Sequence, residues 1–313
     1  MKLQKPKFWD NRKITFWSIL LLPISFIYLS VIWLKKFTSI IKTKKKNYIP
    51  VICVGNIYIG GTGKTPLVKE IFHIIESLGK KPAFIKKTYN YLIDEIKMLK
   101  KTGETFECNN RNEGINSLIK SNHNVAILDD GYQDFSINPD FSILCFSSKQ
   151  LIGNGFVIPS GPLRESFSAI KRASCLIING EKNQETINFE NKVKESFTKE
   201  LPIFYSKYKI KNVEKFTGVQ LTAFAGIGNP SNFFDLLREN NLNINNTFSF
   251  PDHYKYTKKD FDKIMEYKST KLITTEKDYL RMSDEQKKIC ECVEVNLEIE
   301  NIKQFESLIN SYL

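Results

Sequence analysis

The sequence predicts an α/β protein with three parts: a phosphate-loop (P-loop) NTPase-like parallel sheet domain, a second smaller α/β domain, and an N-terminal membrane-associated helix. Three observations carry this prediction. A glycine-rich turn joins a strand to a helix near residue 60, buried strands alternate with helices after it, and an uncharged apolar run lies near the N-terminus. With 313 residues, of which 42% are hydrophobic, the chain is long enough for two domains. We expect boundaries at 1–46, 47–217 and 218–313.

The basic charge of the chain is concentrated at its N-terminus. The formal net charge is +12, and the first 50 residues, with 11 Lys or Arg and one acid, carry +10 of it. A basic groove on the globular part is therefore not indicated, and we expect no nucleic-acid partner. The sequence also indicates no obligate protein partner.

Residues 16–34 form the uncharged run, with basic clusters on both sides. Its 19 residues are just enough to cross a bilayer as a helix, but Pro23 and Ser25 interrupt it. Lysines that can bind anionic headgroups follow it: Lys35, Lys36, Lys42, Lys44, Lys45 and Lys46. A spanning helix and an interfacial helix both remain open, and either predicts membrane lipids as partners. Six scattered cysteines are typical of reduced thiols, which places the catalytic body on the cytoplasmic side.

The stretch VGNIYIGGTGKTPL, residues 54–67, has the features of a phosphate-binding loop. An apolar run typical of a buried parallel strand precedes it, and an amphipathic helix follows it. In such a turn the backbone N–H groups cradle phosphates, Lys64 neutralises their charge, and the hydroxyl of Thr65 holds Mg²⁺. The strict Walker pattern fails only at Tyr58, where its outer glycine is expected. The predicted nucleotide-binding residues are Gly60, Gly61, Thr62, Gly63, Lys64 and Thr65.

A second apolar strand, in NVAILDDGYQD, ends in the carboxylates of Asp129 and Asp130. Ligands of open α/β sheets bind at this edge, beyond the carboxyl ends of the strands. One acid is the usual Mg²⁺ partner of a P-loop, and a second acid predicts a further role. We assign Asp130 to the metal and Asp129 to the catalytic site.

Six stretches of this sequence occur in the order expected of the tetraacyldisaccharide 4'-kinase family, the lipid A kinases of Gram-negative envelopes. They are VGNIYIGGTGKTP, ILDDGYQD, IPSGPLRE, AFAGIGNPSNFF, FPDHY and ITTEKDYLRM, and the chain resembles the family from about residue 16 onwards. The resemblance implies transfer of the γ-phosphate of ATP, with Mg²⁺, to the 4'-hydroxyl of an acylated glucosamine disaccharide 1-phosphate, which gives lipid IVA. It also implies a location at the inner membrane. The family does not keep the outer Walker glycine, which accounts for Tyr58.

The resemblance also assigns residues on the acceptor side. In the family, a carboxylate of a Gly-Asp-Glu-Pro motif pairs with the histidine of the FPDH motif, and the matching positions are Asp94 and His253. We expect these two catalytic residues in a cleft between the two domains. Substrate-binding roles fall on Gln133, on Arg164, whose guanidinium can bind two phosphate oxygens at once, and on Tyr89.

The chain departs from the family pattern in three places. Only Tyr89 remains of a Ser-Arg-Gly-Tyr-Gly run, the segment leading to Asp94 is shortened, and Asp134 stands where the family usually has histidine. These departures concern the lipid side and leave two alternatives open. One is a P-loop enzyme of another pathway, although no guanine-reading Asn-Lys-x-Asp run is present. The other is a membrane-tethered nucleotide-binding regulator without enzymatic activity.

Overall fold

The computed structural model describes residues 5–41, 47–89, 93–266 and 271–313. The strands in these ranges are β1 (Val51–Gly55), β2 (Pro82–Lys87), β3 (Thr105–Cys108), β4 (Val125–Asp129), β5 (Phe141–Ser147), β6 (Cys175–Asn179), β7 (Ile203–Ile210), β8 (Leu221–Ala225), β9 (Ile244–Ser249), β10 (Lys271–Thr275), β11 (Glu291–Val293) and β12 (Val295–Ile299). The α-helices are α1 (Phe16–Leu20), α2 (Leu22–Ile41), α3 (Lys64–Ser77), α4 (Ile93–Thr102), α5 (Arg111–Lys120), α6 (Gln184–Ser196), α7 (Pro230–Glu239), α8 (Lys258–Met265), α9 (Glu276–Tyr279), α10 (Asp284–Lys287) and α11 (Ile302–Asn310).

The strands form two sheets. The eight-stranded sheet has the order β12-β7-β6-β5-β1-β4-β2-β3. The neighbouring strands from β7 to β3 in this order all pair in parallel. Strands β1, β4 and β5 are buried along their whole length, as expected of central strands covered on both faces. Because β1 and β4 are parallel neighbours, the loop after β1 and the carboxylates that end β4 lie at one edge of the sheet. The predicted P-loop-like parallel sheet is confirmed.

A four-stranded sheet of order β11-β10-β8-β9 forms the second α/β part, and its pairs are parallel. Its core includes Phe216, Phe224 and Phe261, which are all buried, and the rings of Phe224 and Phe261 pack edge to face. Strand β8 leads into α7 through the AGIGNP turn, where Pro230 opens the helix. This part corresponds to the smaller α/β domain predicted from the sequence.

The chain divides into two compact units, each built from separate stretches of the sequence. The larger unit comprises Leu3–Lys87, Gly103–Lys207 and Glu298–Leu313, and the smaller comprises Thr88–Thr102 and Tyr208–Leu297. Helix α4 joins the smaller unit because it packs on α9, whereas α11 joins the larger unit because it packs on α3. The described part of the predicted N-terminal segment, residues 5–41, lies in the larger unit. These assignments depend on contacts between distant parts of the chain, which sequence boundaries do not show.

Helices α1 and α2 make polar contacts with the rest of the larger unit. The hydroxyl of Ser25 donates to the carbonyl oxygen of Val157 at 2.9 Å and lies 2.8 Å from the hydroxyl of Ser160. The hydroxyl of Tyr28 donates to the carbonyl oxygen of Arg164 at 3.1 Å. Large apolar side chains on the same helices are exposed: Phe16, Trp17, Ile19, Leu20, Ile24, Phe26, Ile27, Val31, Trp33, Leu34 and Phe37.

In the part of the chain that the structure describes, none of the helices combines the length and the apolar character needed to cross a bilayer. The lysines at positions 42, 44, 45 and 46, to which headgroup binding is assigned above, lie outside the described residues.

Candidate active site

The glycine-rich loop runs from the end of β1 to the start of α3. Its conformation needs glycine at two positions, since Gly60 and Gly63 have φ angles of 121° and 87°. The side chain of Asn56, which is fully buried, holds the loop closed by donating to the carbonyl oxygen of Gly60 at 3.3 Å and to the hydroxyl of Thr62 at 3.0 Å. Helix α3 begins at Lys64, so the N–H groups of its first turn are available for anionic oxygens. This is the arrangement expected of a phosphate-binding loop.

Tyr58, at the position of the missing outer glycine, is part of the protein core. Its side chain is 1% exposed, and its hydroxyl accepts a hydrogen bond from Nζ of Lys5 at 2.9 Å and contacts Asp10. The N–H of Ile59, the next residue, donates to the carbonyl oxygen of Pro162 at 2.8 Å. The outer part of this loop is therefore fixed by packing and hydrogen bonds, and the phosphate-facing glycines begin only at Gly60.

Asp129 lies beside the hydroxyl of Thr65. Oγ1 of Thr65 donates to Oδ2 of Asp129 at 3.4 Å, and Nζ of Lys86 lies 2.6 Å from the same oxygen. Asp129 is fully buried, and its Oδ1 has no hydrogen-bond partner among the described residues. A carboxylate and a hydroxyl are the hard oxygen ligands that Mg²⁺ prefers, so these two residues fit a magnesium ion.

Metal ligands from the protein are few at this site. Within the described ranges, no three His, Cys, Asp or Glu side chains come together as a metal-binding group. Mg²⁺ usually keeps several waters and takes only one or two carboxylates together with substrate phosphates. A site built from Thr65 and Asp129 fits that pattern.

Asp130 contacts cations instead of the Thr65 hydroxyl. Nη1 of Arg164 lies 3.0 and 3.1 Å from its two carboxylate oxygens, and Nζ of Lys64 lies 3.6 Å from Oδ1. Burial alone would raise the pKa of Asp130, but the charges of Lys64, Arg164 and Lys86 hold that pKa well below its usual range. The sequence assigns Asp130 to the metal, whereas the structure brings Asp129 to Thr65. The reason is the backbone: Asp130 follows the last residue of β4 and has a positive φ of 56°, which turns it out of the strand alternation.

Gln133 links the glycine-rich loop to Arg164. Its Nε2 donates to the carbonyl oxygen of Asn56 at 2.9 Å and to Oε1 of Glu165 at 3.1 Å, while its Oε1 accepts from Nη1 of Arg164 at 3.4 Å. Glu165 is held in turn by two hydrogen bonds from Arg172, at 2.8 and 2.9 Å. The structure thus brings both Gln133 and Arg164, predicted as substrate-binding, to the nucleotide side of the larger unit.

Asp134, which stands at the family's histidine position, binds two cations. Its Oδ2 lies 2.8 Å from Nη1 of Arg111 and 3.0 Å from Nζ of Lys87. Nη2 of the same arginine donates to the carbonyl oxygen of Asp130 at 2.8 Å. Burial raises the pKa of Asp134, but hydrogen bonds from Ser136, Arg111 and Lys87 outweigh this effect and lower the pKa to about 2. The sequence analysis did not identify Arg111, which holds the backbone that carries the acids, or Lys87, which binds Asp134.

The smaller unit brings Asp94 and His253 together. Asp94 lies in the first turn of α4 and is 1% exposed, and Nδ1 of His253 lies 3.5 Å from its Oδ2. Nε of Arg281 and Nζ of Lys277 lie 3.6 and 3.9 Å from the same oxygen. Burial raises the pKa of Asp94, but His253, Lys277 and Arg281 outweigh it and lower that pKa below its ordinary value. Asp94 is thus an anion beside the histidine.

Asp278 organises the residues behind this pair. It is fully buried, accepts from the N–H of Gly226 at 3.0 Å, and pairs with Nη2 of Arg281 at 2.5 Å. The N–H of His253 donates to the carbonyl oxygen of Gly226 at 3.1 Å. The stretches AGIG, FPDHY and TEKDYLRM therefore meet at one place, although sequence reasoning named only His253 from them. The acidic and basic residues in TEKDYLRM were the signal that could have found Asp278 and Arg281.

Tyr89, the third predicted substrate-binding residue, follows β2 and is 43% exposed. Residues 90–92, which connect it to α4, lie outside the described part of the chain. Its role in substrate binding stays a prediction.

Comparisons with known proteins give a consistent result. A sequence profile of the family described as "Tetraacyldisaccharide-1-P 4'-kinase" matches residues 17–313. A protein of Pelagibacter ubique named tetraacyldisaccharide 4'-kinase is 40% identical over 307 residues, which cover 97% of this chain and 96% of that protein. A protein of the same name from Rickettsia canadensis is 32% identical, with 96% and 95% covered. The resemblance carried by the six motifs is therefore confirmed over nearly the whole chain.

A solved structure supports the fold. The crystal structure of LpxK from Aquifex aeolicus in complex with ATP matches with a TM-score of 0.73 at 23% identity, and the match covers 94% of this chain and 99% of that one.

Proposed function

The chain belongs to the tetraacyldisaccharide-1-P 4'-kinase family and is a lipid kinase of lipid A biosynthesis, and from this premise we propose that it uses ATP with Mg²⁺ at the surface of a membrane. In this reaction the 4'-hydroxyl oxygen of the acylated disaccharide 1-phosphate bonds to the γ-phosphorus of ATP. The bond from that phosphorus to the bridging oxygen breaks, ADP leaves, and the hydroxyl proton passes to a base. Family membership decides against a P-loop enzyme of another pathway and against a regulator without activity.

The nucleotide side of the proposal is carried by one observation: Asp129 and Thr65 meet at the start of the helix that follows the glycine-rich loop. The backbone N–H groups of the loop and of the first turn of α3 bind phosphate oxygens, and Lys64 neutralises the charge on the transferred group. Thr65 and Asp129 would hold Mg²⁺, which would supply further charge neutralisation. Arg164, held by Asp130 and Gln133, provides a second fixed cation on this side.

The acceptor side is assigned to His253 and Asp94. Since Nδ1 of His253 faces the buried anion of Asp94, the Nδ1–H tautomer is favoured, and Nε2, which lies 3.8 Å from Oδ1 of Asp252, takes the proton of the acceptor hydroxyl. Asp94 then stabilises the cation that forms on the ring. Lys277 and Arg281 hold Asp94 in its charged form, as their positions beside Oδ2 indicate.

The membrane part of the proposal rests on helices α1 and α2. Their protein-facing side carries Ser18 and Ser25, which are buried, whereas Phe16 and Phe26 are each 72% exposed and Trp17 is 57% exposed. A helix with one side on protein and an aromatic, apolar opposite side favours insertion into the interfacial layer of a bilayer. The basic residues after it favour anionic lipids of the inner membrane, with the catalytic body on the cytoplasmic side.

The test is a transfer assay with the full chain, γ-labelled ATP and the tetraacylated disaccharide 1-phosphate dispersed in anionic vesicles. We expect label in a lipid product with two phosphates, and loss of that product when EDTA removes Mg²⁺. A disaccharide lacking the 4'-hydroxyl is the matched control and should receive no label. ATP binding without label transfer to the complete acceptor would contradict the proposal.

A further inference from the structure

A second lysine lies buried beside the nucleotide site. Lys86 belongs to β2 and is 2% exposed. The register pairs Ile85 with Leu128, so the next residues, Lys86 and Asp129, stand side by side on neighbouring parallel strands. Nζ of Lys86 lies 2.6 Å from Oδ2 of Asp129. The sheet therefore brings a fixed cation to the carboxylate that also meets Thr65.

Lys86 contacts only one of the two carboxylate oxygens of Asp129. Oδ2 of Asp129 receives both the ammonium group of Lys86 and the hydroxyl of Thr65, at 2.6 and 3.4 Å. Oδ1 is also buried, yet it has no hydrogen-bond partner in the described part of the chain. A buried, unpartnered carboxylate oxygen is costly unless a ligand takes it up. Lys86 thus fixes which oxygen is used by the protein and which is left for a ligand.

We propose that Lys86 is a positioning residue of the nucleotide site, which binds Oδ2 of Asp129 and thereby presents Oδ1 to the Mg²⁺ that accompanies ATP. The inference rests on the proposed function, because it takes the ion to enter with the nucleotide. Lys86 lies outside the six stretches that the chain shares with the family.

The charges at the site give this proposal a measurable consequence. Among the described residues, Lys86 contacts Asp129, while Lys64 and Arg164 contact Asp130, so these three cations face the two carboxylates before any ligand binds. A free divalent cation is poorly attracted to a site with this balance, whereas the phosphates of ATP are attracted to it. Lys86 therefore makes the site selective for Mg²⁺ bound to nucleotide over free Mg²⁺.

The test is the Tm of the nucleotide-free full chain while MgCl₂ is raised to about 10 mM, against choline chloride of equal ionic strength. In the Lys86→Met protein, Asp129 has lost its cation, and Mg²⁺ should raise Tm by about 1–3 °C. The wild type should shift by less than about 0.5 °C, and so should Lys87→Met. Lys87 is a matched control because it is the adjacent lysine of β2 and pairs with Asp134 instead.

Two further variants separate the charge of Lys86 from its hydrogen bond. Lys86→Gln keeps a donor for Asp129 without the charge and should respond to Mg²⁺ like Lys86→Met, whereas Lys86→Arg should respond like the wild type. Neutral variants that respond like the wild type would overturn the proposal. If no neutral variant folds, the wild type alone tests the proposal. A saturable increase in its Tm with Mg²⁺, in the absence of nucleotide, would overturn the proposal, and an unchanged Tm would support it. Because this Tm requires no turnover, a failure of the transfer assay would be distinguishable from a failure here.

Discussion

Nδ1 of His253 lies 3.5 Å from Oδ2 of Asp94, which is almost fully buried in the first turn of α4. The histidine takes this position with a positive φ of 55°, in the left-handed region that non-glycine residues rarely occupy. Its N–H is held by the carbonyl oxygen of Gly226 and by Oδ1 of Asp252, at 3.1 and 3.0 Å. Hydrogen bonds to the backbone thus place the ring beside the buried anion.

If His253 and Asp94 act as one unit, the losses from removing them should not add. We expect His253→Ala and Asp94→Ala each to lower kcat by about 10²-fold or more, as for a positioned acid–base group. The double variant should be little slower than the slower single variant. Single-turnover kinetics on the three proteins provide the measurement, and binding of a fluorescent ATP analogue, which should be retained, is the control. Fully additive losses would indicate two independent roles.

Lys64→Ala should lower kcat by about 10²- to 10³-fold, because the transferred phosphoryl group loses a cation that is fixed before the reaction. Steady-state rates at saturating ATP and lipid measure this loss. Lys81→Ala is the matched control, since Lys81 is an exposed lysine on the same unit and its loss should leave kcat unchanged. Similar rates for the two variants would argue against a P-loop role for Lys64.

The two acids after β4 should differ in their effect on the Mg²⁺ requirement. If Asp129 holds Mg²⁺ as proposed, Asp129→Asn should raise the Mg²⁺ concentration for half-maximal rate by about tenfold or more. Asp130→Asn should change it much less, because Asp130 binds Arg164 and Lys64. Mg²⁺ titrations of the rate at fixed ATP measure both. The opposite order would restore Asp130 as the metal ligand.

Asp134 should contribute stability that depends on pH. Its pKa in the folded protein is lowered to about 2, so the contribution is present above the pKa of the unfolded chain and is lost as pH falls through the folded value. We expect Asp134→Asn to reduce the free energy of unfolding by about 1–3 kcal/mol near pH 7. Urea unfolding at several pH values between about 3 and 7 should show the difference from wild type shrinking below about pH 4. A difference that stays constant with pH would contradict this assignment.

Charges placed on the exposed face of α1 and α2 should weaken membrane binding. Trp17→Glu and Phe26→Glu each put a carboxylate on the apolar surface that we propose enters the lipid, and we expect at least a severalfold lower bound fraction in sedimentation with anionic vesicles. Asn188→Glu on α6 adds the same charge at an exposed site and is the control. Equal binding of all three variants would place the lipid-binding surface elsewhere.

The nucleotide side could be predicted from the sequence because it is local. A buried strand, a glycine-rich turn and Lys64 with Thr65 at a helix start lie within 20 consecutive residues, and their geometry follows from the order of elements. The choice between Asp129 and Asp130 could not be predicted in the same way. It depends on where β4 ends and on the positive φ of Asp130.

Residues that meet across the sheet were harder to predict. Nothing in the run PAFIKK distinguishes Lys86, which is buried, from Lys87, which is 29% exposed at its side chain. The difference arises from the pairing of β2 with β4, a contact between segments about 40 residues apart. The same reason explains α4, whose place in the smaller unit depends on its packing against α9.

The hydrogen bonds of Ser25 and Tyr28 bear on how the exposed apolar surface of the N-terminal helices can be removed. Deleting the N-terminal helices would remove the apolar surface, but it would also remove the hydrogen-bond partners of Val157, Ser160 and the carbonyl oxygen of Arg164. A shortened protein would thus lose support for the segment that carries Arg164, which binds Asp130 beside the glycine-rich loop. Exchanging the exposed aromatic side chains for polar ones while leaving both helices in place is the sounder route to a soluble, nucleotide-competent enzyme for crystallisation.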